Sequence, residues 1–165
     1  MKICIAGYGY VGKAFYEFFK TYEHYQVFVY DNSKEIQERY DFVKRDCDIL
    51  NSADLVVVCV PTPSKDDGSV DISFVENVLA NITKQTLVLI KSTIPPNTTN
   101  ILSKKYPHLR IVFSPEYIGE STYDLPYPYD FNKEVIKTPY FIFGGDIKYT
   151  SEIVDIFSKI AGPVK

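Results

Sequence analysis

The first thirty-one residues permit few folds. They run as a short apolar strand, a turn with three glycines, an amphipathic stretch, a second apolar strand and then an acid. Lys2-Ile3-Cys4-Ile5-Ala6 is a short apolar run that reads as a buried strand. In the turn Gly7-Tyr8-Gly9-Tyr10-Val11-Gly12, Gly7 allows the chain to leave that strand sharply. Gly9 lets backbone approach a pyrophosphate with no Cβ in the way, and Gly12 lets the next helix pack close to the sheet. Tyr10 and Val11 open that helix, whose free N–H groups and positive dipole end suit phosphate. Val27-Phe28-Val29-Tyr30 then delivers Asp31 to the end of the second strand. A carboxylate there accepts bonds from the adenosine ribose hydroxyls and repels a 2′-phosphate, which favours NAD over NADP. The competing reading is a doubly wound domain that keeps the glycine turn for packing alone.

Strand and helix alternate through the remainder of the chain. Residues 32–54 are polar, with at most a short helix at 33–40. A fully apolar third strand at 55–60 ends in Pro61-Thr62-Pro63, and Asp71 caps a helix to about Thr83. Further strands are expected at 86–91, 110–114 and 139–144, with helices at 98–106 and 150–161. Residues 121–138, rich in Tyr, Pro and Asp, read as an irregular loop. Near-continuous Val, Ile and Leu runs mean strands buried on both faces. The expected fold is therefore α/β, a Rossmann-type doubly wound, mostly parallel six-stranded sheet with helices on both faces. The expected strand order is 3-2-1-4-5-6, in a single domain spanning residues 1–165. Ligands of such sheets sit beyond the carboxyl ends of the strands, near the switch point between strands one and four.

Composition excludes several partners. Eighteen Lys and Arg against twenty-one Asp and Glu give a net charge of −3 without a basic stripe, so nucleic acid is not an expected partner. No apolar run approaches the roughly 20 residues of a membrane-spanning helix, and Met1-Lys2-Ile3 opens a strand and not a signal peptide. The expected location is the cytoplasm. Cys4 and Cys59 fall in expected buried strands and Cys47 in a charged connector, while His24 and His108 stand apart from them. Neither a disulfide framework nor a metal site is expected.

The segments that follow three of the strands carry the remaining chemistry. They are Val60-Pro61-Thr62-Pro63, Lys91-Ser92-Thr93-Ile94-Pro95-Pro96, and Ser114-Pro115-Glu116-Tyr117-Ile118-Gly119-Glu120. Each alone reads as a stiff turn or a helix cap. All three lie at the sheet edge where a cofactor must lie, and their prolines hold the backbone in fixed extended shapes. Thr62, Ser92 and Thr93 bring short hydroxyls. Glu116 and Glu120 bring carboxylates on one face of any helical turn.

These motifs, in this order, resemble the N-terminal NAD-binding region of the UDP-glucose/GDP-mannose dehydrogenase family. Its members use two NAD molecules in succession to oxidise a sugar C6 alcohol to a carboxylate through an enzyme-bound thioester. The resemblance implies that Gly7, Gly9, Tyr10, Val11 and Gly12 hold the pyrophosphate and Asp31 the adenosine ribose. It implies that Val60, Pro61 and Thr62 line the adenine and ribose side, with Ser92 and Thr93 near the nicotinamide. Thr93 would help to hold a catalytic water on which Glu116 does acid–base work. Glu120 would contact the cofactor, and Tyr117 and Ile118 a nucleotide sugar. Lys34 is the nearest candidate for the basic residue that the family often places after its ribose-binding acid.

The family's nucleophilic cysteine, and the lysine, asparagine and aspartate around the reacting carbon, fall beyond Lys165. So does its dimerising helix. The expectation is a domain that binds NAD without turnover alone, with the missing catalytic domains as possible partners on another chain. The alternative is a stand-alone NAD- or nucleotide-binding module without catalysis. A hydroxyacid or 6-phosphogluconate-type dehydrogenase is a weaker third, opposed by Ser-Pro-Glu-Tyr. A pure binder has no use for Thr93 and Glu116 as a water-activating pair.

Overall fold

A computed structural model describes residues 1–115, 135–138 and 140–162 of the chain. The strands are β1 (Lys2–Ala6), β2 (Gln26–Tyr30), β3 (Val43–Lys44), β4 (Leu55–Val58), β5 (Thr86–Ile90), β6 (Leu109–Phe113) and β7 (Gly144–Gly145). The helices are α1 (Tyr10–Lys20), α2 (Lys34–Arg39), α3 (Asp48–Ser52), α4 (Ser73–Ala80), α5 (Thr98–Lys105) and α6 (Ile147–Ala161). The strands form one sheet in the order β3-β2-β1-β4-β5-β6-β7, parallel throughout except where β7 runs against β6.

Period-two side-chain direction divides the interior into two layers. Ile3, Ile5, Leu55, Val57, Leu87 and Leu89 point to one face, where Phe15, Phe18 and Phe19 of α1 meet Ile153 and Phe157 of α6. Their neighbours Cys4, Ala6, Val56, Val58, Val88 and Ile90 point to the other. That face is covered by Leu50 of α3, Val75 and Leu79 of α4 and Leu102 of α5. The central strands are buried on both sides because α1 and α6 pack on one face and α3, α4 and α5 on the other. This is the expected Rossmann arrangement. Among the described residues no helix is long and apolar enough to cross a membrane.

Five details differ from the sequence expectation, the first being α3, a second short helix in the stretch expected to hold at most one at 33–40. The sheet has seven strands, not six, because Val43–Lys44 adds an edge strand within the stretch read as a connector. It takes the third place in the order, so Leu55–Val58 lies at the centre against β1. With two residues, of which only Val43 is buried, β3 leaves no periodic signal. The strand expected at 139–144 is reduced to the Gly144–Gly145 pairing with β6, while Phe141 and Phe143 pack on Phe157 with ring centroids 5.0 Å away. Side-chain packing takes the place of a ladder there. Helix α6 starts a turn earlier than expected because Asp146 accepts from Lys148 N at 2.8 Å. Cys59 lies one residue past β4 and is half-buried, so it is not the strand-interior thiol that its apolar neighbours suggested.

Burial pushes the Cys4 thiol up to about 12, so its thiolate is scarce at neutral pH. A thiol reagent at pH 8 should label Cys47 and Cys59 in the folded protein and Cys4 only after unfolding; fast labelling of all three would contradict the two-layer core. Phe157→Ala, at the centre of the aromatic contacts, should cost about 3–5 kcal/mol in urea unfolding. A loss under about 1 kcal/mol would show that α6 does not hold that face.

Candidate functional site

In the sheet β1 lies between β2 and β4. The chain leaves β1 toward the α1 face and leaves β4 toward the α4 face, so their carboxyl ends part and open a crevice. A cavity of about 330 Å³ occupies it, within the usual size range of ligand sites. Its floor is the glycine turn. One wall follows β2 and the other follows β4.

The three glycines have different physical reasons. Gly7 has φ +97°, and a Cβ there would lie 2.7 Å from the Cys59 carbonyl oxygen. A Cβ on Gly12 would lie 1.9 Å from the Gly7 carbonyl oxygen. Both are therefore demanded by the close crossing of α1, β1 and β4. Gly9 is different: a Cβ there meets nothing within 4 Å. Its φ of −77° and ψ of −158° are open to any residue, so neither packing nor backbone strain calls for glycine. What the missing side chain leaves is room on the cavity floor, beside a helix start that has no side-chain cap. The amides of Tyr10, Val11 and Gly12 open that helix. Tyr10 is 63% exposed.

Asp31 stands at the end of β2 on the cavity wall. Its Oδ2 accepts from Tyr8 N at 2.7 Å and its Oδ1 from Ser33 N at 2.8 Å. Gln37 donates its side-chain amide to the Asp31 carbonyl. Two main-chain donors thus fix the carboxylate, and each oxygen keeps lone-pair capacity for a ligand hydroxyl. The turn is braced from behind. The Tyr8 ring is buried and packs edge-on against Tyr16, Tyr40 and Phe42, with centroids 5.6, 5.1 and 5.4 Å away. Lys13 Nζ lies 5.7 Å from the Tyr8 centroid and 5.1 Å from that of Tyr40. Burial pushes the Tyr8 hydroxyl up to about 12, so it stays neutral.

The other expected positions are spread along the sheet edge. Val60 and Pro61 line the cavity, while half-buried Thr62 follows outside its walls. Ser92 is buried, and its hydroxyl donates to the Val60 carbonyl at 2.7 Å. Its contact in this structure is therefore to the wall, which it fixes. Thr93, next to it, is exposed. Lys34 is exposed and is not part of the cavity wall. Glu116, Tyr117, Ile118 and Glu120 lie outside the described residues.

Sequence reasoning missed two sets of residues. Phe74, Asn77 and Val78 of α4 complete the wall after β4, opposite Ile36 of α2. Their i, i+3, i+4 spacing was a usable signal, because Phe74 is an aromatic residue left 43% exposed on an otherwise packed helix. Lys91 is the second case. It is buried at the end of β5, where Nζ donates to Ser114 Oγ at 3.0 Å and to the Pro115 carbonyl at 2.8 Å, 4.8 Å from the Phe15 centroid. A lysine closing an apolar strand was the available sign. Asp46, Cys47 and Asp48 bring their ligand atoms within 4.8 Å of one another, but they are successive residues at an exposed turn into α3.

The residues present suit a dinucleotide: an open place over Gly9, uncapped amides for a pyrophosphate, and a fixed carboxylate for a ribose. Comparison with known proteins agrees. The sequence profile of the UDP-glucose/GDP-mannose dehydrogenase family, NAD binding domain, matches residues 36–136. That range starts after the glycine turn and Asp31, so the turn and the match are separate observations. UDP-glucose 6-dehydrogenase of Rickettsia bellii is 33% identical over 101 residues, covering 55% of this chain and 23% of that protein. The Campylobacter jejuni UDP-glucose 6-dehydrogenase is 37% identical over 83 residues, covering 47% of this chain and 21% of the relative. The matched stretch thus spans less than a quarter of either relative. A solved UDP-glucose dehydrogenase from Pyrobaculum islandicum superposes on 98% of this chain and 45% of its own length, with a TM-score of 0.78 at 21% identity; at that identity the likeness concerns the fold. With well over half of its residues inside the family profile, the chain belongs to the UDP-glucose/GDP-mannose dehydrogenase family and contains that family's NAD-binding domain.

Proposed function

We propose that this chain binds NAD in the crevice over β1, β2 and β4 and serves as the cofactor-holding part of a nucleotide-sugar 6-dehydrogenase. The observation that carries this reading is Gly9. It is the one fingerprint glycine without a packing reason, and it sits where backbone, free amides and the Asp31 carboxylate converge. NAD supplies the hydride acceptor for oxidation of a sugar's primary alcohol. The chain's own residues bind and orient it. Gly9 keeps the floor clear for the pyrophosphate, Gly7 and Gly12 shape the turn and the close start of α1 beside it, and the amides of Tyr10 and Val11 face it. Asp31 holds the adenosine ribose and disfavours a 2′-phosphate by charge. Val60, Pro61 and Thr62 shape the side after β4, with Ser92 fixing Val60. On the resemblance, Thr93 holds a water on which Glu116 acts as general base, Glu120 contacts the cofactor, and Tyr117 and Ile118 touch the nucleotide sugar.

A thioester route needs a thiolate beside the sugar's reacting carbon. Cys4 is buried with a raised pKa, Cys47 lies at the start of α3, and Cys59 belongs to the adenosine side of the cavity. None suits the task, so on this reading the reacting thiol comes from outside these 165 residues, on the same or another chain.

Calorimetry should show NAD binding with a Kd on the order of micromolar and NADP at least about tenfold weaker. Equal affinities, or no heat with NAD, would overturn the cofactor reading. Asp31→Ala combined with Gly9→Val should abolish binding. Gly9→Ala and Gly12→Ala separate binding from folding: the first should keep the melting temperature and weaken NAD about tenfold or more, while the second should destabilise the fold itself. A loss of stability in Gly9→Ala as large as that in Gly12→Ala, beyond the small N-cap preference of glycine over alanine, would mean that its glycine serves packing after all. With UDP-glucose and NAD, the 165-residue chain alone should form no NADH; steady NADH production would show that the residues needed to bind and oxidise the sugar lie within it after all.

A further inference from the structure

We propose that Phe74 and Asn77 of α4 select the adenine base, Phe74 by covering a purine face and Asn77 by bonding the edge that carries N6 and N7. This rests on the NAD reading of the same cavity and adds to it which residues choose the base. The α4 wall carries the right chemistry. Among the cavity's lining residues only Asp31 is charged, and it belongs to the opposite wall with Ile36. The space beside α4 is therefore suited to an uncharged group and not to a phosphate. Phe74 is 43% exposed on a helix whose Val75 and Leu79 are fully buried. Flat, apolar purine faces recover that exposed area by stacking, with Ile36 available from the wall after β2.

Asn77 is oriented within its own helix. Asn81 Nδ2 is anchored to the Asn77 carbonyl at 2.8 Å and also reaches Asn77 Oδ1 at 3.2 Å. The second contact fixes which side of the Asn77 amide is oxygen. Asn77 Nδ2 is then a donor that meets no acceptor among the described residues, and Oδ1 keeps a second lone pair. An asparagine amide pairs with adenine by donating to N7 and accepting from the N6 amino group. Hypoxanthine has an acceptor oxygen in place of that amino group, which would oppose Oδ1. Discrimination between the two bases is therefore the signature of an amide in this place. A merely apolar slot would hold both alike.

The test compares NAD with nicotinamide hypoxanthine dinucleotide by calorimetry on the 165-residue chain. The wild-type chain should bind NAD about tenfold more tightly than the hypoxanthine analogue. Asn77→Leu should bring the two within about twofold of each other, and Phe74→Ala should weaken both by about tenfold with the preference retained. Phe74 and Asn77 are exposed, so both variants should melt with the wild-type chain. Undiminished NAD affinity in Phe74→Ala, or a preference that survives Asn77→Leu, overturns the base-selecting role while leaving NAD binding intact. Failure of the wild-type chain to bind either dinucleotide overturns the cofactor reading and this inference with it.

Discussion

Three strand ends and a helix start are pressed together at Gly7. Its amide donates to the Tyr30 carbonyl at 2.9 Å, and the Cys59 amide donates to the Ala6 carbonyl at 2.7 Å. The positive φ of Gly7 turns the chain away from β4, and the bare Cα of Gly12 lets α1 rest on the Gly7 carbonyl. From this crossing the rest of the site follows. Because Gly7 and Gly12 bring α1 so close to the sheet, Gly9 at its start lies on the crevice floor. Because Tyr8 N is held there, it can anchor the Asp31 carboxylate, which is in turn held by Ser33 N. The acid proposed for the ribose is thus tied by main-chain amides to the turn that leads into the helix start proposed for the phosphates, so little ordering is left for binding to impose.

The other half of the sheet edge is organised by a different device. Lys91 places a buried ammonium between the ends of β5 and β6, satisfied by Ser114 and the Pro115 carbonyl and set against the Phe15 ring. Removing such a charge's partners is costly, so the contact holds the two strand ends in register where Ser92 also fixes Val60. The described site therefore has two anchors. One is the glycine crossing with Asp31, and the other is the Lys91 and Ser92 pair at the ends of β5 and β6.

Much of this was legible in the sequence, for a physical reason. β1, β4 and β5 are buried on both faces, so their sequences are uninterrupted apolar runs, and the glycine turn with Asp31 follows a spacing set by backbone geometry. The features that were not legible depend on tertiary contacts. Val43–Lys44 is a strand only because β2 offers it an edge, and two residues carry no period. Phe141 and Phe143 read as strand because they are aromatic, yet they are used to cover Phe157. The bond from Ser92 to the Val60 carbonyl exists only because the ends of β4 and β5 lie side by side. Phe74 and Asn77 face the cavity only because α4 packs beside the end of β4, which local sequence does not reveal.

The central claim is that the uncapped start of α1 and the Asp31 loop form one preorganised dinucleotide cradle. The most direct measurement is a titration of the isotope-labelled chain with NAD, followed through its backbone amide resonances. The amides of Tyr10, Val11, Gly12 and Ser33 should shift together and saturate with one common Kd, while those of the exposed α6 surface stay in place. Shifts that leave the glycine turn and Ser33 unmoved, or that saturate there at a different concentration, would contradict the account.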